Sequence, residues 1–356
     1  GAQSTQTVRL SAAGATLSGT AAISASAGIA TFSGISLQGL IGSKTLTAEV
    51  SLPSTLSVTS TVVLDFGNVT SLSLERAAAG AANRIAFTTQ PQIALRDSAG
   101  NFVTGTAATI TFTASPNATI TSGTVAVNTA SGIATFAGSF LTGTVGSYTL
   151  SYSVTGASAS SITTVSHSIE LTHGVGHSLA YVQQPSSLER AGITLSRAVV
   201  IRMLDQEGNL VNTGQFSSGS ANIFLITGTN VTLTGSTSVS FSAGIATFSN
   251  LAVTGQSGSG LRFLVTATDP NVNNAPQSTL FSLGAGVPTK VVVTAGQPLS
   301  VSAGVTQSAN LALQLQDAWN NQTSQSDTVS IAVAAVEALN DLSLIHISEP
   351  TRLLSI

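Results

Sequence analysis

The sequence predicts an all-β chain of tandem sandwich domains, and three observations predict it. The phrase Gly-Ile-Ala-Thr-Phe occurs at 28–32, 132–136 and 244–248, so its copies stand 104 and 112 residues apart. A second phrase travels with it: Asp97-Ser98-Ala99-Gly100-Asn101, Asp205-Gln206-Glu207-Gly208-Asn209 and Asp317-Ala318-Trp319-Asn320-Asn321, with steps of 108 and 112. Between the two phrases, apolar and Ser/Thr residues alternate with period 2. Two markers moving together mean copies of one domain rather than one large fold.

The alternation defines the strands. Tyr148, Leu150, Tyr152 and Val154 are interleaved with Thr149, Ser151 and Ser153; Leu46, Ala48 and Val50 with Thr45, Thr47 and Glu49; Ile110 and Phe112 with Thr109, Thr111 and Thr113. Such a strand faces a core on one side and water on the other. Thr suits the wet face because it is β-branched and polar. No stretch sustains a helical period, and only Val333 to Leu339 is ambiguous. Turn signals recur every ~8–12 residues, the spacing of a sandwich. A parallel β-helix would repeat every ~20–30 residues, far short of the steps here.

Inside the phrases, Ile133 and Phe136 are expected in the core of one copy with Tyr148, Leu150 and Tyr152. Ile245, Phe248, Phe263 and Val265 are expected in the core of the next. Boundaries follow short linkers: Phe66-Gly67-Asn68, Gly174-Val175-Gly176 and Gly284-Ala285-Gly286, the last two 110 residues apart. The expected division is the tail half of a domain at 1–67, complete domains at 68–173 and 174–284, and the head half of another at 285–341. Linkers this short should leave neighbours touching, as a semi-rigid rod. The two half domains should bury less than the complete ones.

Composition narrows the partners. The chain has 356 residues, 42% of them hydrophobic and 7% charged, with a net charge of −3. Disorder goes with low hydrophobicity and high charge, so a packed fold is expected. There is no basic field for nucleic acid and no polybasic patch for a membrane surface. No segment reaches the ~18 uninterrupted apolar residues of a spanning helix, so no membrane insertion is expected. There is no Cys, which excludes disulfides and thiolate metal sites. The sole Met is Met203 and the chain opens in mid-repeat, so it reads as an internal fragment.

The text around the two phrases carries a resemblance. In each central copy an Asp-x-x-Gly-Asn turn is followed by a strand, then by Gly-Ile-Ala-Thr-Phe. In the first of them a glycine-led strand at Gly146-Ser147-Tyr148-Thr149-Leu150 comes next. Residues 1 to 341 thereby resemble the bacterial Ig-like domains of the invasin and intimin adhesin family and kindred repeats in large surface proteins. The resemblance implies tandem immunoglobulin-like β-sandwiches, two complete and two truncated. It also implies an extracellular spacer or adhesion stalk at the cell surface, touching its own neighbouring domains. It leaves any host, cell-surface or glycan ligand unnamed. One departure is Asn320, where the family prefers Gly; Asn also tolerates the left-handed conformation.

Residues 342–356 change style abruptly, to LSLIHISEPTRLLSI. Leu342 to Arg352 resembles one reading frame of a transposase-type sequencing adapter, with Leu353-Leu354-Ser355 as an index and Ile356 opening the next constant stretch. The competing expectation is a last strand of the fourth copy.

Candidate sites are few. Asp97, Asp205 and Asp317 are conceivable calcium ligands, but Asp in such a phrase more simply bonds its own backbone in a turn. Calcium wants several converging carboxylates, and the chain has 14 Asp and Glu in all. Asp269-Pro270-Asn271 with Asn273 and Asn274 reads the same way. His167, His173 and His177 with Glu170 form the one internal histidine cluster, but Gly174 and Gly176 interrupt the helix a His173/His177 pair would need. No metal site and no cofactor are expected. No nucleophile elbow occurs, and the Gly-x-Gly pairs at 174, 258 and 284 lack the third glycine of a dinucleotide loop. Four N-x-T sequons, at Asn68, Asn117, Asn230 and Asn321, are no more than Ser/Thr richness gives by chance. The two lysines, Lys44 and Lys290, leave both central copies without one, which excludes a Lys–Asn isopeptide staple as a general device. Trp319 stands out, in a turn where its copies hold Ala99 and Glu207. The leading expectation is a non-enzymatic stalk; the alternatives are a glycan- or protein-binding module acting through loop tips, and accessory domains of an enzyme.

Overall fold

The computed structural model describes residues 6–51, 54–116, 118–156, 162–214, 217–296, 311–324 and 328–330. The ambiguous stretch at Val333 to Leu339 and the segment from Leu342 lie outside them. Among the described residues there is no α-helix. The chain is all-β.

Two hydrophobic cores organise it. The first sandwich packs one sheet, in the order Thr124–Ala126, Thr109–Ser115, Gly146–Thr155, Val165–Thr172, Ala81–Ala82, against another, Ile133–Thr135, Gln92–Arg96, Ser71–Arg76. Its core gathers Ile93, Leu95, Ile110, Phe112, Phe136 and Leu150 among others. Phe112 lies opposite Tyr152 in the register. Its ring meets Phe136 edge-on at 5.3 Å and Tyr152 at 5.6 Å, geometry in which aromatic pairs add ~0.5–1.5 kcal/mol beyond area burial. The second sandwich repeats the plan. Ser178–Gln183, Val199–Leu204 and Ile245–Phe248 form one sheet, faced by Ser238–Ser240, Ser220–Leu225 and Phe263–Ala267. Its core includes Met203, Phe248, Phe263 and Phe281.

Most pairings are antiparallel, as the alternation and short turns predict. In each sandwich one short pairing is parallel: Ala81–Ala82 beside Leu171 and Thr172, and Leu188–Arg190 beside Phe281–Gly284. In the first sandwich the chain leaves the sheet of its opening strand and joins the last strand of the opposite sheet; in the second it joins Phe281–Gly284, which pairs on its other side with Gly258–Leu261. That crossing closes an edge which would otherwise stand open.

Phe136, Tyr148, Leu150, Tyr152, Phe248, Phe263 and Val265 are buried as expected. Ile133 and Ile245 are not; both are half-buried, and Ala134 and Ala246 take the core positions at 0% exposure. The reason is parity. Ile and Phe of the phrase stand three residues apart, and in a strand an odd separation puts two side chains on opposite faces.

Residues 6–64 form strands around Thr7–Ala13, Gly42–Ser51 and Thr55–Leu64. None of their described side chains is buried. The first Gly-Ile-Ala-Thr-Phe copy makes no strand there, and Ile29 is 69% exposed. In the other copies the phrase pairs with Gln92–Arg96 or Val199–Leu204; among the described residues of the first copy no strand pairs with it. At the other end Lys290–Ala295 pairs with Ala312–Gln316, the counterparts of the opening two strands of a sandwich.

Candidate functional site

The Asp phrase follows directly on the second strand of each copy. Asp97 N–H donates to Asn101 O at 3.1 Å, and Gly100 N–H donates back to Asp97 O at 3.1 Å. Gly100 holds φ +83°, Gly208 φ +82° and Asn320 φ +67°, so Asn320 does take the left-handed role. The Asp97 carboxylate accepts at Oδ1 from Ala99 N–H and Asn101 N–H, each 2.9 Å. Asp205 and Asp317 repeat both bonds with Glu207 and Asn209, and with Trp319 and Asn321.

The second carboxylate oxygen does something the sequence did not show. Asp97 Oδ2 accepts from the linker amide Gly67 N–H at 2.9 Å, Asp205 Oδ2 from Gly174 N–H at 2.9 Å, and Asp317 Oδ2 from Gly286 N–H at 2.8 Å. The turn therefore pins the linker that leads into its own copy. The structural linker equivalents are Gly174 and Gly286, so the 110-residue match of Gly174 with Gly284 is two residues out of register.

The closing Asn then reaches the preceding copy. Asn101 Nδ2 donates to Gly39 O at 2.9 Å, while its Oδ1 accepts from Ile41 N–H at 3.0 Å. Asn209 makes the same pair with Gly143 O at 3.0 Å and Val145 N–H at 3.0 Å. Asn321 makes it with Gly255 O at 2.9 Å and Ser257 N–H at 2.6 Å. Each Nδ2 also donates to its own Asp Oδ2, at 2.9, 3.0 and 2.8 Å. The amide orientation is fixed by this network, because the flipped form would set NH2 against a backbone N–H. Three junctions thus carry one clamp: linker to Asp, Asp to Asn, Asn to the loop of the copy before.

Electrostatics follow from the bonding. Burial is the largest single influence on Asp97 and opposes its charge. The N–H of Gly67, the Asn101 amide and the backbone N–H of Asn101 and Ala99 together outweigh it and hold the carboxyl below the usual range. The same balance, with Gly286, Asn321 and Trp319, lowers Asp317. The acceptor capacity of these aspartates is directed at N–H donors, and they lie in three separate turns. Among the described residues no group of three or more His, Asp or Glu is placed to hold a metal ion.

The histidines are dispersed. His167 stacks on Tyr152 at 5.8 Å with the rings 9° apart. Burial, against a weaker pull from the Ala78 backbone, lowers its pKa. His173 sits at a junction: Nδ1 is 2.8 Å from Gly174 O, and Nε2 accepts from Thr213 N–H at 3.2 Å. The carbonyl of His177 accepts from Asn273 N–H. Asp269 accepts at Oδ1 from Asn271 N–H and Nδ2, within its own loop. Lys290 Nζ hydrogen-bonds Asn320 Oδ1.

The two repeated phrases touch. Leu95 N–H donates to Gly132 O at 3.0 Å, and a Cβ on Gly132 would lie 2.4 Å from Val103 O, two residues past the turn. Met203 and Gly244 repeat the bond, and a Cβ on Gly244 would lie 2.2 Å from Val211 O. Sequence reasoning missed the clamp, although a signal existed. Gly39, Gly143 and Gly255 recur at steps of 104 and 112, in phase with Gly-Ile-Ala-Thr-Phe.

Tyr148 adds a mark of the sandwich class, its hydroxyl donating to Thr144 O at 2.7 Å, four residues upstream. The architecture is immunoglobulin-like. Similar solved structures include FdeC, an Escherichia coli adhesin, at 19% identity, 72% of this chain and 77% of that one, TM-score 0.34. Another is InvD of Yersinia pseudotuberculosis, at 18% identity, 79% and 88% coverage, TM-score 0.30. A third is invasin, titled a bacterial integrin-binding protein, at 19% identity, 87% and 60% coverage, TM-score 0.32. At these scores none carries a role across to this chain. No family model and no curated protein matches it.

Proposed function

We propose that this segment is a non-enzymatic spacer, a stalk section of a large extracellular adhesin at the cell surface. Its units divide at 67/68, 173/174 and 284/285, each held to the next by the Asp–Asn clamp. The observation that carries this reading is the clamp itself. The residues repeated in every copy serve to close a turn, seat a strand and grip the copy before. Function then lies in length and continuity. The neighbouring copies are the partners this reading requires.

The test is small-angle scattering on a recombinant 68–284 fragment, with hydrolase screens beside it. A compact body of that length has a radius of gyration of about 17 Å; a two-domain rod lies well above it. A compact globule, or turnover abolished by one point mutation, would overturn the reading.

One observation favours the binding-module alternative. Phe224, in the strand Ser220–Leu225, is 49% exposed and Ile226, just past its end, 40% exposed; a ligand surface here would lie along a strand end rather than at a loop tip. Loss of cell or glycan adhesion in Phe224→Ser, with the scattering profile unchanged, would move the assignment to that reading.

A further inference from the structure

The clamp is common to all three junctions, but the third turn residue is not. It is Ala99, Glu207 or Trp319, and the last two reach back to the same place on the preceding sandwich. Glu207 Oε1 pairs with Arg84 Nε at 2.6 Å. The Trp319 indole lies on Gly192, where an added Cβ would stand 2.3 Å from the ring carbon Cη2. Arg84 and Gly192 are structural counterparts. Each stands two residues past the short parallel strand, Ala81–Ala82 or Leu188–Arg190. Each is left-handed, at φ +59° and +71°. Each N–H donates into the strand before the clamped glycine, to Leu141 O or Val253 O.

We propose that these two positions form a matched pair that specifies which copy can follow which, and fixes the angle between them. The partner surface is the next copy of this same domain type, and the inference deepens the spacer reading on which it rests. At one junction the match is carboxylate to guanidinium. At the other it is an indole on bare backbone.

The chemistry forbids exchange of one member alone. Glu207 is largely buried, its side chain 15% exposed, and its Oε2 has no protein hydrogen-bond partner. Without Arg84 the whole carboxylate is left unpaired, which a partly buried charge resists. An indole at 207 would meet the Arg84 side chain where Trp319 meets none. Any side chain at 192 would run into Trp319. Arg84 sits in the left-handed backbone region, at φ +59°, inside the tight turn closed by the Ala82–Ile85 bridge. In the first junction the third residue is Ala99, and the described part of the preceding copy holds no counterpart of Arg84.

The full chain allows a direct test, because it has no Cys. Spin labels at Thr113→Cys and Thr247→Cys, both exposed positions, report one distance between the two sandwiches. The parent should give a narrow distribution. Arg84→Gly alone and Glu207→Trp alone should each broaden it roughly two-fold, as contacting residues couple. The double variant Arg84→Gly/Glu207→Trp copies the Gly192–Trp319 pair and should return to the parent width. The milder Glu207→Gln should broaden the distribution without a change in side-chain volume. A narrow parent with unchanged single variants, or a double variant as broad as the two singles combined, overturns the pairing and leaves the spacer reading standing. A parent that is already broad overturns the spacer reading and the pairing with it.

Discussion

Val145 donates its N–H to Asn209 Oδ1 at 3.0 Å, across 64 residues of chain. Asn209 Nδ2 in turn donates to Gly143 O, so one side chain of the second sandwich satisfies two backbone positions of the first. A turn residue has become a joint.

Asn209→Ala should loosen that joint without unfolding either sandwich. Gly143 O keeps its bond from Asn83, whereas Val145 N–H loses its partner. Val145 is exposed, so water can take the lost bond and the cost is that of one net hydrogen bond, about 0.5–1.5 kcal/mol; exchange at Val145 should accelerate roughly two- to tenfold. Amide exchange by NMR checks it, and unchanged protection at Val145 would contradict the clamp.

The phrase glycines should not be equivalent. Gly244→Ala forces a Cβ to 2.2 Å from Val211 O at φ +74° and should cost roughly 2–4 kcal/mol. Gly28→Ala meets nothing within 4 Å and should cost only the left-handed penalty, about 1–2 kcal/mol. Chemical denaturation of each variant, compared with the parent, gives the contrast; equal losses would count against it.

Tyr152→Phe should stabilise the first sandwich, or leave it unchanged. The Tyr152 hydroxyl is buried without a hydrogen-bond partner, its ring stacked on His167, and burial pushes its pKa up. Removing an unsatisfied hydroxyl is worth about 1 kcal/mol. A clear fall in denaturation midpoint would mean the hydroxyl is bonded in solution.

Acid should weaken the outer clamps. The folded pKa values of Asp97 and Asp317 lie below their unfolded values, which are about 3.9 for Asp. Their stabilisation is therefore fully present above that range and is lost as pH falls through the depressed folded values. Amide exchange at Ile41 and Ser257, the N–H groups held by Asn101 and Asn321, should be steady above about pH 5 after correction for intrinsic rates. It should rise at lower pH. In Asp97→Asn the rise at Ile41 should be absent.

The sequence by itself determined the all-β class, the repeat and most of the core. Alternation placed Phe136, Tyr148 and Leu150 inward because the strand period is a local property, readable from a few neighbours. It also marked Asp97 and Gly100 as a turn, since an Asp–backbone bond spans two to four residues. The misplaced Ile133 was legible too, had the parity of its separation from Phe136 been applied. The tertiary structure alone decided that Asn209 grips Gly143, that Glu207 answers Arg84 and that Ala81–Ala82 runs parallel to the last strand. Those contacts join residues from about 60 to more than 120 positions apart, mostly across two separately packed cores. Local propensity acts over a turn or a strand; how one finished sandwich seats on the next depends on surfaces that exist only after each has folded.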